Sequence, residues 1–403
     1  MLLEGRRVLL GVTGGIAAYK SCELARRLAD EGAEVQAVLT EGATRFVAPL
    51  TFQALTGREA PHELFDADRE SRISHIELAR AADVVVIAPA TAHFIAKMAA
   101  GLADDLLSTL LLAARCPVVV VPAMNSAMWD HPATQANVAR LAAWPRHRIV
   151  PPEQGVLACR EVGPGRMPAA AAIVDEIRAA LTERTLTGRV ILVSAGPTRE
   201  PVDAVRFLSN RSTGRMGFAV ARAARALGAD VTLVAGPCDL EAPTGVALVR
   251  VETAADMADA VLARAATADA VIKVAAVADR RPASRTAGKI RKDDLGASLP
   301  LEATTDILKA LVDAREGGGR PILVGFAAET EDLAQAGPAK LAAKGCDLLV
   351  ANRVDLPGAG FGGDTNQATL FDADGGREEI AQTSKDQLAE RVCDRVAALL
   401  GAS

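Results

Sequence analysis

The sequence predicts an α/β protein with two domains, each built on a doubly wound parallel sheet. Short β-branched runs alternate with Ala-rich helical stretches along the chain, and this alternation is typical of parallel βαβ units with right-handed crossovers. The chain has 403 residues, whereas single hydrophobic cores stop growing at about 250 to 300 residues. Two domains are therefore expected.

The first half of the predicted fold begins with a strand over residues 8–12, which leads through a Gly-rich turn into a helix over 16–31. The alternation then predicts strands at 35–39, 84–88 and 118–121, helices at 44–55 and 92–114, and a closing helix at 173–181.

After residue 185 the alternation begins again. It predicts strands at 190–194, 231–235, 270–274, 322–326 and 348–351, and helices at 215–227 and 254–268. Both halves open with a strand, a Gly-rich turn and a helix, but their sequences do not repeat convincingly. The predicted architecture is two Rossmann-like domains, over residues 1–185 and 186–403.

Composition excludes several classes of function. The net charge is -5 and no block of Lys and Arg occurs, so neither nucleic acid nor an anionic membrane is expected as a general partner. The cysteines form no Cys-x-x-Cys pair and the histidines no ligand-spaced cluster, which indicates a reduced cytoplasmic protein without structural zinc. No uncharged apolar stretch approaches about 18 residues, so we expect neither a signal peptide nor a membrane span.

A Gly-rich turn over residues 11–16 follows the first strand and opens a helix, where free amides and the helix dipole favour a phosphate. The turn is neither Gly-x-Gly-x-x-Gly nor a Walker loop, so glycines serving only a tight turn remain an alternative. Hydroxyls and amides at later strand ends, without an acidic ribose clamp, suit a mononucleotide such as FMN. The candidate cofactor residues are Thr13, Gly14, Gly15, Ile16, Thr40, Pro89, Thr91 and Ser108.

Three further side chains of the first half are candidates for chemistry. Asn125 lies in the segment 122–129, directly after a predicted strand, where ligands of open α/β sheets bind. His75 leads into a helix and is a candidate proton acceptor, while Cys159 lies in a glycine-punctuated segment that we interpret as a flap without strand or helix. The structural alternatives are a loop that covers the sheet edge, a packing histidine and an incidental thiol.

The second half carries polar groups that suit a nucleotide triphosphate. Residues 206–217 combine an amide, hydroxyls, glycines and three arginines just before a helix. Asp279 ends another predicted strand with a carboxylate suited to Mg²⁺, and Lys289 offers a point charge for phosphate. A solvated basic turn and a surface charge run are the alternatives.

Together these motifs resemble two enzyme families. Residues 11–20, 88–91, 101–109 and 122–129 resemble the homo-oligomeric flavin-containing Cys decarboxylases. Residues 196–200, 209–210, 275–279, Lys289 and 325–330 resemble phosphopantothenate-cysteine ligase. Their order is similar to that of the bacterial bifunctional coenzyme A biosynthesis proteins.

For the ligase half, the resemblance implies that 4'-phosphopantothenate attacks CTP to give an acyl-cytidylate, from which the amine of cysteine displaces CMP. Asn210 would position the acyl-cytidylate, Lys289 would bind the triphosphate, and Asp279 would bind the nucleotide with Mg²⁺. ATP stays open as the alternative nucleotide. Further nucleotide- or substrate-binding positions by resemblance are Ala275, Ala276, Thr305, Asp306, Ile307, Phe326, Lys340 and Lys344.

For the flavin half, the resemblance implies that 4'-phosphopantothenoylcysteine is oxidised to a thioaldehyde, loses CO₂ and is reduced to 4'-phosphopantetheine, with FMN as the electron sink. His75 would be the base, Asn125 would hold the leaving carboxylate, and Cys159 would protonate the enethiolate. Met124 would contact the flavin. Flavin-domain trimers and ligase-domain dimers would build a dodecamer.

The sequence departs from the family patterns at several positions. The departures are His93 and Phe94, Arg280, 304–306 and Arg353, from which we expect altered packing of the flavin or nucleotide.

The sequence disfavours three other functions. A peptidyl-cysteine decarboxylase or a non-catalytic regulatory flavoprotein of the same fold would have no reason to carry the second half. A nicotinamide oxidoreductase would need the Gly-x-Gly-x-x-Gly turn that neither half contains.

Overall fold

The computed structural model describes residues 3–64, 75–156, 161–291, 298–315, 319–329, 333–353 and 362–401. The chain divides into two compact units, Met1–Thr182 and Glu183–Ser403. Within the described residues, no helix is both long and apolar enough to cross a lipid bilayer.

The first unit is built on a parallel sheet whose described strands lie in the order β2-β1-β3-β4-β5. These strands are β1 (Arg7–Val12), β2 (Glu34–Leu39), β3 (Val84–Ala90), β4 (Val118–Pro122) and β5 (His147–Ile149). A separate antiparallel hairpin consists of β6 (Glu153–Val156) and β7 (Val162–Arg166). The helices are a 3₁₀ turn (Ile16–Tyr19), α1 (Lys20–Asp30), α2 (Glu41–Thr44), α3 (Pro49–Thr56), α4 (His75–Ala81), α5 (Ala92–Ala100), α6 (Leu106–Ala113), α7 (Ser126–Asp130), α8 (Pro132–Ala142) and α9 (Ala170–Leu181).

The strands of this sheet are apolar because both faces are covered. Every residue of β3 is buried, and one hydrophobic cluster lies on each side of the sheet. The chain leaves β1 for β2 on one side and returns through β3 on the other, so the strand order reverses between β1 and β3. Such a reversal opens a crevice at the carboxyl ends of the strands.

Three helix predictions for this unit were partly wrong, and the reasons are local. The helix expected over 92–114 is two helices, because Gly101 ends α5 with a φ of 70° and Asp105 caps α6. The helix expected over 16–31 begins as a 3₁₀ turn, and the one expected over 44–55 is interrupted before Pro49. The segment interpreted as a flap without regular structure contains the hairpin β6–β7, and β5 was not predicted.

The second unit is built on a sheet whose described strands lie in the order β12-β11-β8-β13-β16-β17-β18-β19. These are β8 (Val190–Ala195), β11 (Asp230–Ala235), β12 (Ala247–Arg250), β13 (Ala270–Lys273), β16 (Ile322–Glu329), β17 (Leu348–Arg353), β18 (Thr365–Asp372) and β19 (Arg377–Ser384). Two short antiparallel pairs lie outside the sheet, β9 (Arg199–Pro201) with β10 (Phe207–Ser209) and β14 (Arg280–Pro282) with β15 (Leu301–Ala303). The helices are α10 (Arg215–Ala226), α11 (Ala254–Ala265), α12 (Ile307–Ala314), α13 (Leu333–Lys344) and α14 (Lys385–Leu399).

The parallel α/β class is confirmed in both units, but one edge of the second sheet differs from the prediction. Strands β17, β18 and β19 pair antiparallel, so this sheet is mixed. Strands β12, β18 and β19 and the helix α14 after them were not predicted from the sequence. That helix packs against α10 and buries Leu388, Val392 and Val396 completely, and this apolar face closes the core of the second unit.

A close backbone approach shapes the turn after β8. A Cβ atom on Gly236 would lie 1.7 Å from the carbonyl oxygen of Pro197, and Gly236 donates its N–H to Ala195 at 3.0 Å. The turn residue Gly196 has a φ of 77°. The end of β11 therefore lies directly against the turn that follows β8.

We predict that Gly236→Ala destabilises the second unit by about 3 kcal/mol or more, because the added methyl meets backbone and not a movable side chain. The measurement is thermal and urea unfolding, followed by circular dichroism. Gly362→Ala is the matched control, since nothing lies within 4 Å of its Cβ position. Equal unfolding midpoints for the two variants would contradict the prediction.

Candidate functional sites at the carboxyl edges of the two sheets

The hydroxyl of Thr13 joins two strand ends of the first unit. Thr13 is 1 % exposed. Its Oγ1 donates to the carbonyl of Pro89 at 2.7 Å and accepts from the amide of Thr91 at 3.1 Å. Pro89 follows Ala88 through a cis peptide bond. The structure thus places three predicted cofactor residues together at the switch point between β1 and β3.

The turn after β1 fits an anionic group at its amides. Gly15 precedes the 3₁₀ turn with extended backbone and no capping side chain, so the first amides of that turn are not occupied by a side-chain cap. Gly14 packs on Gly42, since a Cβ on Gly14 would lie 2.6 Å from the backbone of Gly42. This contact brings Gly14 and Gly15 close to the α2 terminus, where Thr40 accepts from the amide of Ala43 at 3.3 Å.

Ser108 takes part in a helix cap. It is 2 % exposed, and its Oγ donates to the Asp105 carboxylate at 2.9 Å in a reciprocal capping box. Buried Lys97 pairs with both Asp104 and Asp105, and these two carboxylates raise its pKa against the opposing effect of burial. If the Ser108 hydroxyl contacts a cofactor, it must do so alongside its hydrogen bonds to Asp105 in this helix cap.

Phe94, one of the departures from the family pattern, is a core residue of the first unit. Phe94 is 1 % exposed and lies in the cluster beneath β3 and β4, while its amide donates to the Thr91 hydroxyl at 3.3 Å. His93 beside it is exposed. Of the two replaced side chains, His93 is therefore the one on the surface.

The loop after β4 is joined to the hairpin β6–β7. Met124 donates its amide to the carbonyl of Gly165 at 3.0 Å, and a Cβ on Gly165 would lie 2.2 Å from the Met124 oxygen. The carboxamide Nδ2 of Asn125 donates to Oε2 of Glu161 at 2.7 Å, and its Oδ1 accepts from the Ala127 amide at 2.8 Å. The predicted carboxylate holder thus already carries a carboxylate.

The remaining predicted residues of the first unit are placed less fully. His75 is the first residue of α4, which leads into β3 against the strand direction, so it lies towards the same carboxyl edge. Cys159 lies outside the described residues. The described strands that come before and after it in the sequence are β6 and β7.

In the second unit, an open cavity lies at the carboxyl ends of β8, β13 and β16. Its lining includes the predicted residues Ala275, Ala276 and Phe326, together with the Gly214 end of α10. Gly214 has a φ of 81° and no side chain caps that helix, so its first amides face the site without a side-chain partner. The full lining is Gly196, Ser212, Thr213, Gly214, Arg215, Met216, Gly217, Val274, Ala275, Ala276, Phe326, Ala327, Ala328, Asn352, Asn366 and Lys385.

Asn210 is fixed at the edge of this cavity by its amide nitrogen. Nδ2 donates to the carbonyl of Ala276 at 2.9 Å and to that of Val277 at 3.3 Å. Ala276 in turn donates its amide to Gly196 at 2.9 Å. Because both contacts of the carboxamide use Nδ2, its Oδ1 is left to accept a hydrogen bond from a ligand.

Asp279 directly precedes β14, and the predicted residues 305–307 follow β15, the strand that pairs with β14. Asp279 is exposed, and its carbonyl accepts from the amide of Thr304 at 3.1 Å. Asp306 caps α12 through the amides of Leu308 and Lys309. Among the described residues, no group of three or more acidic, His or Cys side chains is placed to hold a metal ion.

Five lysines of the second unit bear on the proposed nucleotide site, and of these Lys385 lines the cavity. Lys289 is exposed on the loop after β14, and Lys340 and Lys344 lie on α13. Lys273 and Lys385 were not predicted from the sequence. Burial lowers the pKa of Lys273, with Lys344 acting in the same direction and the Asp306 and Asp279 carboxylates opposing it.

Lys385 is 7 % exposed and donates to the carbonyl of Gly363. Burial, and after it the charge of Arg215, lowers its pKa. Lys385 was missed because no helix or strand was predicted after residue 351, so nothing in the sequence placed it near the site. Lys273 could have been found, since it lies within the predicted strand over 270–274, just before Ala275.

Comparison with known proteins assigns both units. The flavoprotein family model matches residues 2–182, and that of the DNA/pantothenate metabolism flavoprotein C-terminal domain matches residues 186–400. The chain is 46% identical over 402 residues to the coenzyme A biosynthesis bifunctional protein CoaBC of Bacillus subtilis, covering 99% of this chain and 98% of that relative. It is 44% identical over 413 residues to CoaBC of Mycobacterium tuberculosis (strain ATCC 25618 / H37Rv), covering 98% and 97%.

Solved structures match each half separately. The C-terminal domain of CoaBC is 37% identical, with a TM-score of 0.47 over 55% of this chain and 100% of that one. The FMN-dependent cysteine decarboxylase SpaF is 34% identical, with a TM-score of 0.38 over 45% of this chain and 97% of that one. On the full-length relatives and the two family models, the chain belongs to the family of bifunctional coenzyme A biosynthesis proteins.

Proposed function

We propose that this protein first joins 4'-phosphopantothenate to cysteine at the expense of CTP and then decarboxylates the product to 4'-phosphopantetheine with FMN. The carboxamide geometry carries the proposal. Asn125 and Asn210 lie beyond the strand ends of different sheets, and each is fixed through hydrogen bonds of its own amide. The Asn125 side chain donates to the Glu161 carboxylate. The Asn210 side chain is held through Nδ2, so its Oδ1 would accept a hydrogen bond from the amine of cysteine.

In the ligase half, the carboxylate of 4'-phosphopantothenate is a poor electrophile until it is joined to a nucleotide. The uncapped amides of α10 and the ammonium groups of Lys289 and Lys344 would hold the phosphates, because they stabilise negative charge without moving protons. Lys273 interacts electrostatically with Lys344 and Asp306, and burial lowers its pKa. Asn210 Oδ1 would accept from the attacking amine and orient it toward the acyl carbon.

Mg²⁺ fits this site as a shared ligand of protein and substrate. The described residues supply no cage of three acidic groups, and Mg²⁺ is commonly held by one or two carboxylates together with substrate phosphates. The exposed Asp279 carboxylate would be the protein's contribution. The ion would neutralise part of the triphosphate charge while pyrophosphate leaves.

In the flavin half, the residues at the switch point fit FMN. The turn amides at Gly15 and Ile16, with Thr40 nearby, would hold its phosphate, and Pro89, Thr91 and Met124 would lie along the ring. A bound FMN would supply the electron sink that an amino-acid carboxylate lacks. The protein would supply His75 as the proton acceptor and Cys159 as the proton donor, by resemblance to the family.

Asn125 would hold the carboxylate that leaves as CO₂. The Glu161 carboxylate, 2.7 Å from Nδ2, occupies the kind of position that this substrate group would take. Glu161 directly precedes β7. When substrate binds, its carboxylate would replace that of Glu161 as the acceptor of the hydrogen bond from Asn125 Nδ2. The amide orients the substrate without adding a positive charge that would stabilise the carboxylate against loss.

We also infer that the protein is a homo-oligomer. Around the flavin crevice, Ile16 and Tyr19 are 60% and 61% exposed, and Val162 on the hairpin is 79% exposed. Large apolar side chains with this exposure suit a subunit interface. Flavin-domain trimers combined with ligase-domain dimers would give the dodecamer implied by the family resemblance.

We predict that the purified protein is yellow and converts 4'-phosphopantothenate, cysteine and CTP into 4'-phosphopantetheine, CMP, pyrophosphate and CO₂. The measurement is mass spectrometry of products with CTP and ATP assayed in parallel. We expect CMP release to exceed AMP release. A colourless preparation that releases no CMP would contradict the proposed function.

We predict that Asn125→Asp lowers kcat/KM for decarboxylation by about 100-fold or more, because a carboxylate in that place repels both Glu161 and the substrate carboxylate. Flavin absorbance and ligase turnover should stay unchanged. The matched control is Asn137→Asp on α8, which should decarboxylate normally. Full decarboxylation by Asn125→Asp would remove Asn125 from its role.

We predict that Cys159→Ser still releases CO₂ but accumulates an oxidised enethiol product, because a hydroxyl is a much weaker acid than a thiol. The measurement compares CO₂ release with 4'-phosphopantetheine formation in one reaction. Cys116→Ser is the control, since Cys116 is a free thiol packed against the core of the first unit. Normal yields of 4'-phosphopantetheine from Cys159→Ser would exclude Cys159 as the proton donor.

A further inference from the structure

We propose that Asp203 is a positioning residue for the ligase reaction, because it holds the loop that presents Lys289 to the triphosphate. The inference rests on the proposed function and adds a residue to it. Asp203 is 3 % exposed and lies in the turn between β9 and β10. Its buried carboxylate reaches a segment of the chain that is far away in sequence.

The Asp203 carboxylate is satisfied by backbone amides. Oδ1 accepts from the amides of Val205 and Arg206, each at 2.7 Å, and Oδ2 accepts from the amide of Ile290 at 3.2 Å. These hydrogen bonds, that from Val205 first, hold the pKa of Asp203 below its ordinary value, so the group is ionised at neutral pH. Arg206 adds its guanidinium, with Nη1 3.4 Å from Oδ2.

The loop that ends at Ile290 is held at two points by the same turn. Thr286 donates its amide to the carbonyl of Val202 at 3.3 Å, and Ile290 donates to Asp203. Every residue from 283 to 289 is exposed, so side-chain burial contributes little to the loop's conformation. Lys289 immediately precedes the residue that Asp203 binds, and the carboxylate therefore limits where the ammonium group can reach.

The same turn also leads to Asn210. Strand β10 runs from Phe207 to Ser209, and the Ser209 hydroxyl donates to the carbonyl of Thr198 at 2.7 Å. One rigid hairpin thus connects the group that would orient the amine with the group that would hold the phosphates. The contact with Ile290 spans 87 residues of sequence, so it does more than stabilise the local turn.

The test is a double-mutant cycle in the full chain. Asp203→Asn and Lys289→Gln are made alone and together, and kcat and KM are measured for CTP and for cysteine by CMP release. We expect Asp203→Asn to raise KM for CTP about tenfold or more, the change that follows from losing hydrogen bonds to a charged group. KM for cysteine should change less than about twofold. In the Lys289→Gln background, Asp203→Asn should raise KM for CTP by less than about twofold, because the group that it positions is gone.

Two controls separate positioning from folding. Asp256→Asn removes another carboxylate whose pKa is lowered by backbone hydrogen bonds, that of Thr253 first, in the cap of α11, and it should leave KM for CTP unchanged. Thermal unfolding followed by circular dichroism reports whether each preparation is folded, and decarboxylation of added 4'-phosphopantothenoylcysteine reports whether its first unit is loaded with flavin. Ile290→Pro removes the loop's donor while leaving Asp203 intact, and it should reproduce the rise in KM for CTP.

Additive effects of Asp203→Asn and Lys289→Gln would overturn the proposal, because a purely structural carboxylate would weaken both backgrounds equally. An unchanged KM for CTP in Ile290→Pro would overturn it independently, even where Asp203→Asn does not fold. Absence of CMP release from the unmodified protein would overturn the ligase function and the positioning role together. Normal ligation with an additive cycle overturns only the latter.

Discussion

Burial of both faces of a parallel sheet is the constraint on which this molecule depends. Strand β3 exposes none of its residues, so it cannot carry a polar catalytic group along its length. The candidate catalytic side chains are therefore expected at the carboxyl ends, where strand order reverses and a crevice opens. Thr13 marks this edge in the first unit and Asn210 in the second, and each joins strand ends through a hydrogen bond to a main-chain carbonyl.

The two crevices use a carboxamide in different ways. Asn125 presents a nitrogen donor to a carboxylate, and the Ala127 amide fixes its oxygen. Asn210 is held through its nitrogen, which leaves the oxygen as an acceptor. Under the proposed function, one residue type would therefore serve a leaving carboxylate in one half and an attacking amine in the other, because the surrounding backbone determines which end of the amide faces the substrate.

Much of the fold was predictable because strong local signals agreed with it. Short β-branched runs identified β1, β3 and β8, with Gly-rich turns after β1 and β8, and the polar residues after these strands were recognised as candidates. The long helix over 92–114 was wrong because its apolar pattern continued through Gly101, whose left-handed conformation ends α5. Helix α14 was missed although it completes the second core, since the signal of its apolar face is spread over a charged segment.

The sequence by itself determined the fold class, the order of the two halves and the strand-end residues, since these follow from periodicity and from motifs that are contiguous in the chain. Only the tertiary structure decided that Glu161 meets Asn125 and that Asp203 meets Ile290. It also showed that Lys273 lies among Lys344, Asp306 and Asp279. Such contacts join segments that are tens of residues apart, and sequence spacing carries no distance information until the strands are paired.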